Sequence, residues 1–191
     1  MIRKITSKHD EEKKRRRNQI TVGLVLVFLM LISILGYSFG SNSNSNTTPI
    51  IKYNGYEFTN TGGYWNLDIG GTIFSFIGNP SSAYKLNASL KSLTSYYGKM
   101  LYLYSENADA ESEIYQNLYA VASGILPACP ADEKECDKNL PVKNCSDNFI
   151  IIREKNETNV FQEDACVFIS GPEEDLIRIT DGFLLKIIGV Q

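Results

Sequence analysis

Three hydrophobic periods succeed one another along this chain, and each predicts a different kind of element. Residues 20–39 are twenty positions without a charge, long enough at about 1.5 Å per helical residue to span the roughly 30 Å hydrocarbon core of a bilayer. Alternation at every second position follows. Ile50, Ile51 and Tyr53 lead into Asn54-Gly55, a dipeptide suited to a two-residue hairpin turn, and Tyr56 and Phe58 continue beyond it. Trp65, Leu67 and Ile69 come after Gly62-Gly63, and Thr72, Phe74 and Phe76 after Gly70-Gly71. These segments predict a small antiparallel meander. The half-buried face of such a sheet accounts for Trp65 and the nearby tyrosines more simply than a sugar-stacking surface does.

Helical spacing then enters. Asn79-Pro80 has the form of a cap followed by Pro at the first helical position, and Leu86, Leu90 and Leu93 predict a helix behind it. Met100 to Tyr104 reads as a strand. Asp109, Glu111 and Glu113 favour the start of a second helix through its dipole, with Ile114, Leu118 and Val121 as its buried stripe. The acids there alternate as in a calcium loop, but the glycine and the closing glutamate of that motif are missing. Phe149 to Ile152 and Cys166 to Ile169 read as strands, with a turn at Asn156-Glu157-Thr158 between them. Ser170-Gly171-Pro172-Glu173 has the spacing of a capping box, and Leu176, Ile179, Phe183 and Ile187 predict a closing helix over 172–188. The expected class is α+β, or mixed α/β, with helices packed on a sheet and one N-terminal transmembrane helix.

Charge gives this pattern an orientation. Residues 1–19 carry eight Lys or Arg against three acids, including the run Lys13 to Arg17, whereas residues 41–191 carry eleven against nineteen. A cationic flank holds its end of a single span in the cytoplasm. The expected organisation is a cytoplasmic basic tail at 1–19, a signal anchor at 20–39 in contact with the lipid bilayer, a linker at 40–49, and an extracytoplasmic domain at 50–191. The run SNSNSNTT at 41–48 makes the linker a flexible tether. An acidic exterior domain argues against nucleic acid as a partner. The apolar segment has two other possible fates: cleavage as a signal peptide, for which a forty-residue leader is long, and packing into a pilin-like filament, for which Arg17-Asn18-Gln19-Ile20 lacks a small residue at the cut.

Cys129, Cys136, Cys145 and Cys166 all lie in the exterior portion, where disulfides persist. Four cysteines allow three pairings. Cys129 with Cys136 is preferred because it closes a short acidic loop, and Cys145 with Cys166 because it ties a loop to a strand. Intervals of six, eight and twenty residues provide no CxxC for zinc or thiol redox chemistry. Pro127 to Asp147 has no core-forming period and is expected to be a stapled loop.

Catalytic chemistry finds few footholds. The single histidine, His9, lies in the basic tail, which excludes a Ser-His-Asp or Cys-His arrangement in the domain. Lys91 with Ser92 and Ser95 with Lys99 are the Ser-Lys pairings, and no motif selects two of the nineteen acids as a hydrolytic pair. Gly62-Gly63 and Gly70-Gly71 are not phosphate loops, so no cofactor is indicated. Glycosylation sequons occur at Asn46, Asn87, Asn144 and Asn156.

The basic leader, single span, Asn/Ser tether and the closing pattern Cys166-Val-Phe-Ile-Ser-Gly with Leu176 to Val190 resemble uncharacterised single-pass exported proteins of small-genome archaea. That resemblance implies the topology and assigns no activity. The leading expectation is therefore a membrane-anchored extracytoplasmic binding or structural domain of unknown ligand: a cell-envelope component, an adhesion module or an accessory subunit of a membrane complex, with a protein in the envelope as its candidate partner. The alternative is an extracytoplasmic enzyme, either a thiol-disulfide oxidoreductase or a carboxylate hydrolase.

Overall fold

The computed structural model describes Arg16, residues 19–30, Ile32, residues 48–134 and residues 136–191. Contacts divide the chain into two units, Met1–Thr47 and Thr48–Gln191, a boundary inside the expected tether. In the first unit, residues 19–30 form a helix, α1. No helix among the described residues is long and apolar enough to cross a membrane. Residues 31 and 33–39 of the expected span lie outside the described residues, as does Asn46.

The second unit is an α+β domain with two main sheets. Strands β1 (Ile50–Tyr53), β2 (Tyr56–Thr61), β3 (Tyr64–Ile69) and β4 (Thr72–Phe76) form the antiparallel meander in sequential order. Its first turn places Asn54 at φ 48° and Gly55 at φ 86°, the doubly positive conformation that makes Asn-Gly the favoured dipeptide there. Phe58, Leu67, Phe74 and Phe76 are buried on one face, and the opposite face is open.

The other sheet has five strands: β5 (Met100–Ser105), β6 (Gly124–Pro127), β9 (Phe149–Glu154), β10 (Asn159–Glu163) and β11 (Cys166–Gly171). In space they run β10-β11-β9-β5-β6, parallel except for the β10–β11 hairpin. Parallel strands are usually covered on both faces and read as continuous apolar runs. Strand β9 fits: Phe149, Ile150, Ile151 and Ile152 are all buried. Helix α2 (Ala108–Leu118) connects β5 to β6, and helix α3 (Leu176–Ile187) follows β11. Since α2 packs against both β4 and β5, and α3 against β11 and α2, the helix pair bridges the two sheets around one core.

Two expectations for helices are corrected. Leu86, Leu90 and Leu93 do not lie on a helix: Asn79 caps only a 3-10 turn, Pro80–Ser82, and a second turn forms at Leu93–Ser95. The chain between them is held from outside, Tyr84 N–H donating to the Arg178 carbonyl, Leu86 N–H to Gln191 Oε1 and Lys91 N–H to Gln162 Oε1. These tertiary bonds replace the internal ladder that a helix needs. Nor does Ser170 act as a cap. It lies in β11, its hydroxyl donates to the Asn159 carbonyl, and the closing helix is entered through Pro172 and a 3-10 turn, Glu173–Asp175.

Candidate functional site

Helices cover one face of the five-stranded sheet, and the cysteine loop covers the other. Cys129 bonds to Cys136, and Cys145 to Cys166, with Cα separations of 6.0 and 4.8 Å. This is the pairing preferred from the sequence. The loop is not wholly irregular, because β7 (Cys129–Pro130) and β8 (Val142–Lys143) pair in parallel within it. Ala128 N–H donates to the Leu103 carbonyl and Ala165 N–H to the Cys145 carbonyl, fastening the loop at both ends. Beneath it, Ala128, Phe149, Ile151 and Cys166 are buried, with Tyr102, Tyr104 and Phe168 packed around them.

Polar contacts orient the loop on this face. Arg153, on β9, grips Asp132 through two parallel bonds of 2.9 and 3.0 Å and lies 3.6 Å from Glu133. The forked bond to Arg153 lowers the Asp132 pKa and raises that of Arg153. The same guanidinium sits 5.9 Å from the Tyr104 ring, and the Tyr104 pKa is raised by burial first and then by Glu106 and Glu133. Lys143 Nζ lies 4.0 Å above the Tyr102 ring and 3.4 Å from Asp147.

Beyond the loop, the same face shows apolar surface. Phe161 stacks on Phe168 with ring centroids 4.7 Å apart, and it is 41% exposed on the edge strand β10. At the carboxyl ends of β9 and β11 a shallow cleft of about 400 Å³ is lined by Glu154, Lys155, Asn156, Pro172, Glu173 and Glu174. That end of a parallel sheet is where open α/β folds place ligands. These groups can accept hydrogen bonds and attract cations, and they include no nucleophile held by a base.

The remaining residues singled out from the sequence are scattered. Asn87, Asn144 and Asn156 are all exposed, and Asn144 Oδ1 accepts from both the amide and the hydroxyl of Ser146. Neither Ser-Lys pairing forms: Ser92 bonds to Thr94, Ser95 donates to the Ser92 carbonyl, and Lys91 Nζ reaches the Asp164 carbonyl. Among the described residues no group of three or more His, Cys, Asp or Glu is placed to hold a metal.

One carboxylate pair does form, between acids that the sequence reading left unselected. Glu113 and Asp181 are 0% and 1% exposed at the junction of α2, α3 and the end of β4. Burial raises the Glu113 pKa, and the neighbouring Asp181 charge raises it further, to about 9. Burial pushes Asp181 up to about 6, eased by Glu113 and by the nearby Gly78 amide, which stops short of a well-formed hydrogen bond. The signal was present in the pattern: Glu113 and Asn117 fall between Ala110, Ile114 and Leu118 on the buried stripe of α2, and Asp181 between Ile179 and Phe183. Enclosed on all sides, this pair has no access to a substrate.

No protein-family model, curated protein or solved structure matches the chain.

Proposed function

We propose that the chain is a membrane-anchored extracytoplasmic domain that works by binding, as a cell-envelope component or an accessory subunit of a membrane complex. The observation that carries this reading is the pair of disulfides closing a long loop over one face of a sheet, a device suited to an oxidising exterior. Residues 20–39 and the cationic run before them supply the anchor and its orientation. The binding face is the loop side of the five-stranded sheet, where Phe161 stacks on Phe168, and the cleft at the ends of β9 and β11 opens at one end of that sheet. Exposed Asn87, Asn144 and Asn156, together with Asn46, are glycan acceptors on that side of the membrane.

Protease added to sealed cells is expected to remove the domain and leave the basic tail protected. Intact mass of the membrane-extracted protein is expected to rise by four hydrogens on reduction and to retain the N-terminal tail. A domain untouched by protease, or four free thiols in freshly isolated material, overturns the reading. Recovery of partners from membranes in mild detergent, lost on Phe161→Asp, tests the face itself.

A further inference from the structure

Strand β4 ends the meander, and an edge strand leaves a row of backbone groups without partners. Two side chains one turn apart on α2 take the place of a fifth strand. Asn117 Oδ1 accepts from Ser75 N–H at 2.8 Å while its Nδ2 donates to the Ser75 carbonyl at 2.8 Å, and Glu113 Oε1 accepts from Ile77 N–H at 3.1 Å. The other oxygen of Glu113 and both oxygens of Asp181 have no donor from the rest of the protein, although all are buried. The backbone is pressed onto this spot, for a Cβ at Gly78 would collide with Asp181 Oδ2. Two ionised carboxylates offer only acceptors to each other. A proton on one of them supplies the missing donor and removes the repulsion.

We propose that Glu113 and Asp181 form a proton-operated latch. One shared proton clamps α2 to α3 and holds the edge of β4 through Glu113, and its loss at alkaline pH lets that edge and the segment after it open. Other charges nearby are committed elsewhere. On α2, Asp109 and Glu111 occupy the first turn, and the Tyr115 hydroxyl donates to the Ile125 carbonyl. On α3, Arg178 pairs with Asp175 and Lys186 donates to the Leu86 carbonyl. Strand β4 and residues 77–82 carry no charge, and Tyr84 and Lys85 beyond them are exposed. The charge that acts on Glu113 is Asp181.

The sign follows from burial. Both acids titrate higher in the folded domain than in the open chain, so the stabilisation they contribute is complete in acid and is lost as pH rises through the folded values. From above the ordinary carboxylate range up into the alkaline range, a window that includes neutral pH, the closed state holds one proton that the open state releases. This is the reverse of ordinary acid denaturation.

Amide hydrogen exchange of the full-length chain in mild detergent, corrected for the intrinsic rise of exchange with pH, tests the latch. Release of one proton on opening makes protection at Ser75 and Ile77 fall about tenfold per pH unit across that window, while Ile150 in β9 stays level. In Glu113→Gln the amide keeps an oxygen for Ile77 and offers its own donor to Asp181, so the slope is expected to drop to near zero. An unchanged slope in folded Glu113→Gln overturns the proposal. So does pH-independent protection at Ile77 in the native chain, a result that needs no variant to fold.

Discussion

The two faces of the five-stranded sheet are closed by different physics. Toward the helices, Leu101, Leu103, Ile150, Ile152, Val167 and Ile169 enter a core shared with Ile114, Leu118, Ile179, Phe183 and Leu184. Toward the loop, the buried cluster shrinks to Ala128, Phe149, Ile151 and Cys166, and two disulfides do what periodic apolar contacts do on the other side. A helix brings a stripe of side chains to a sheet at regular spacing, whereas a loop with Asp132, Glu133, Lys134, Asp137 and Lys138 has no stripe to bring. Covalent closure compensates by removing freedom from the unfolded chain. The difference teaches that the helix face carries the fold, and the loop face can vary in shape without dismantling it.

Substitution on the helix face is the sharpest way to break this asymmetry. Phe183→Ala deletes a fully buried ring and is expected to cost about 3–5 kcal/mol, read as a shift of the urea midpoint at constant slope. On the loop face, Cys145→Ala with Cys166→Ala opens a closure spanning 21 positions and is expected to cost about 3 kcal/mol. Cys129→Ala with Cys136→Ala opens one of 7 and is expected to cost about 2.5 kcal/mol. Because the loop lacks a core of its own, the disulfide variants are expected to lose amide protection around residues 128–147 before β9 loses any. Simultaneous loss in loop and sheet would mean that the two faces form one cooperative unit.

A smaller effect belongs to the start of α2. Asn107 Oδ1 accepts from Ala110 N–H at 3.0 Å, and Asn107→Ala is expected to cost about 1 kcal/mol by the same denaturation measurement. Its hydrogen bond shares no partner with either disulfide, so its cost is expected to add to that of either disulfide variant.

What could be read in advance follows the range of the interactions. The meander was legible because Asn54-Gly55, Gly62-Gly63 and Gly70-Gly71 each set a turn between strands adjacent in sequence. The stripes of α2 and α3 were legible for the same local reason. The parallel order β11-β9-β5-β6 was not, because it pairs residues 17 to 47 positions apart and leaves no local mark beyond the apolar run in β9. Leu86, Leu90 and Leu93 misled because spacing cannot show that Arg178, Lys186 and Gln191 take hold of that segment from elsewhere. Glu113 was assigned to the helix dipole by its position in the first turns. Its place on the buried stripe, beside Asn117, carried the other meaning. The cysteine pairing was legible in part, since Cys166 opens a strand and Cys136 lies a short acidic loop from Cys129.

The finest test concerns the loop's only forked ion pair among the described residues. Arg153 is mostly buried, while the Asp132 side chain is 67% exposed, so solvent screens the attraction and little global stability rests on it. Arg153→Lys keeps the charge and removes the two-pronged geometry. The expected loss is below about 1 kcal/mol in global unfolding, near the limit of a denaturation curve. The local effect is expected to be larger than the global one, because the fork fixes Asp132 and Glu133 inside the short Cys129–Cys136 closure. Limited proteolysis between residues 130 and 141 is therefore expected to quicken in Arg153→Lys while the urea midpoint hardly moves. Equal changes in both would tie this part of the loop to the global fold and erase the contrast between the faces. Quickened cleavage alone would place this part of the loop among the parts of the domain that move independently, on the face proposed for binding.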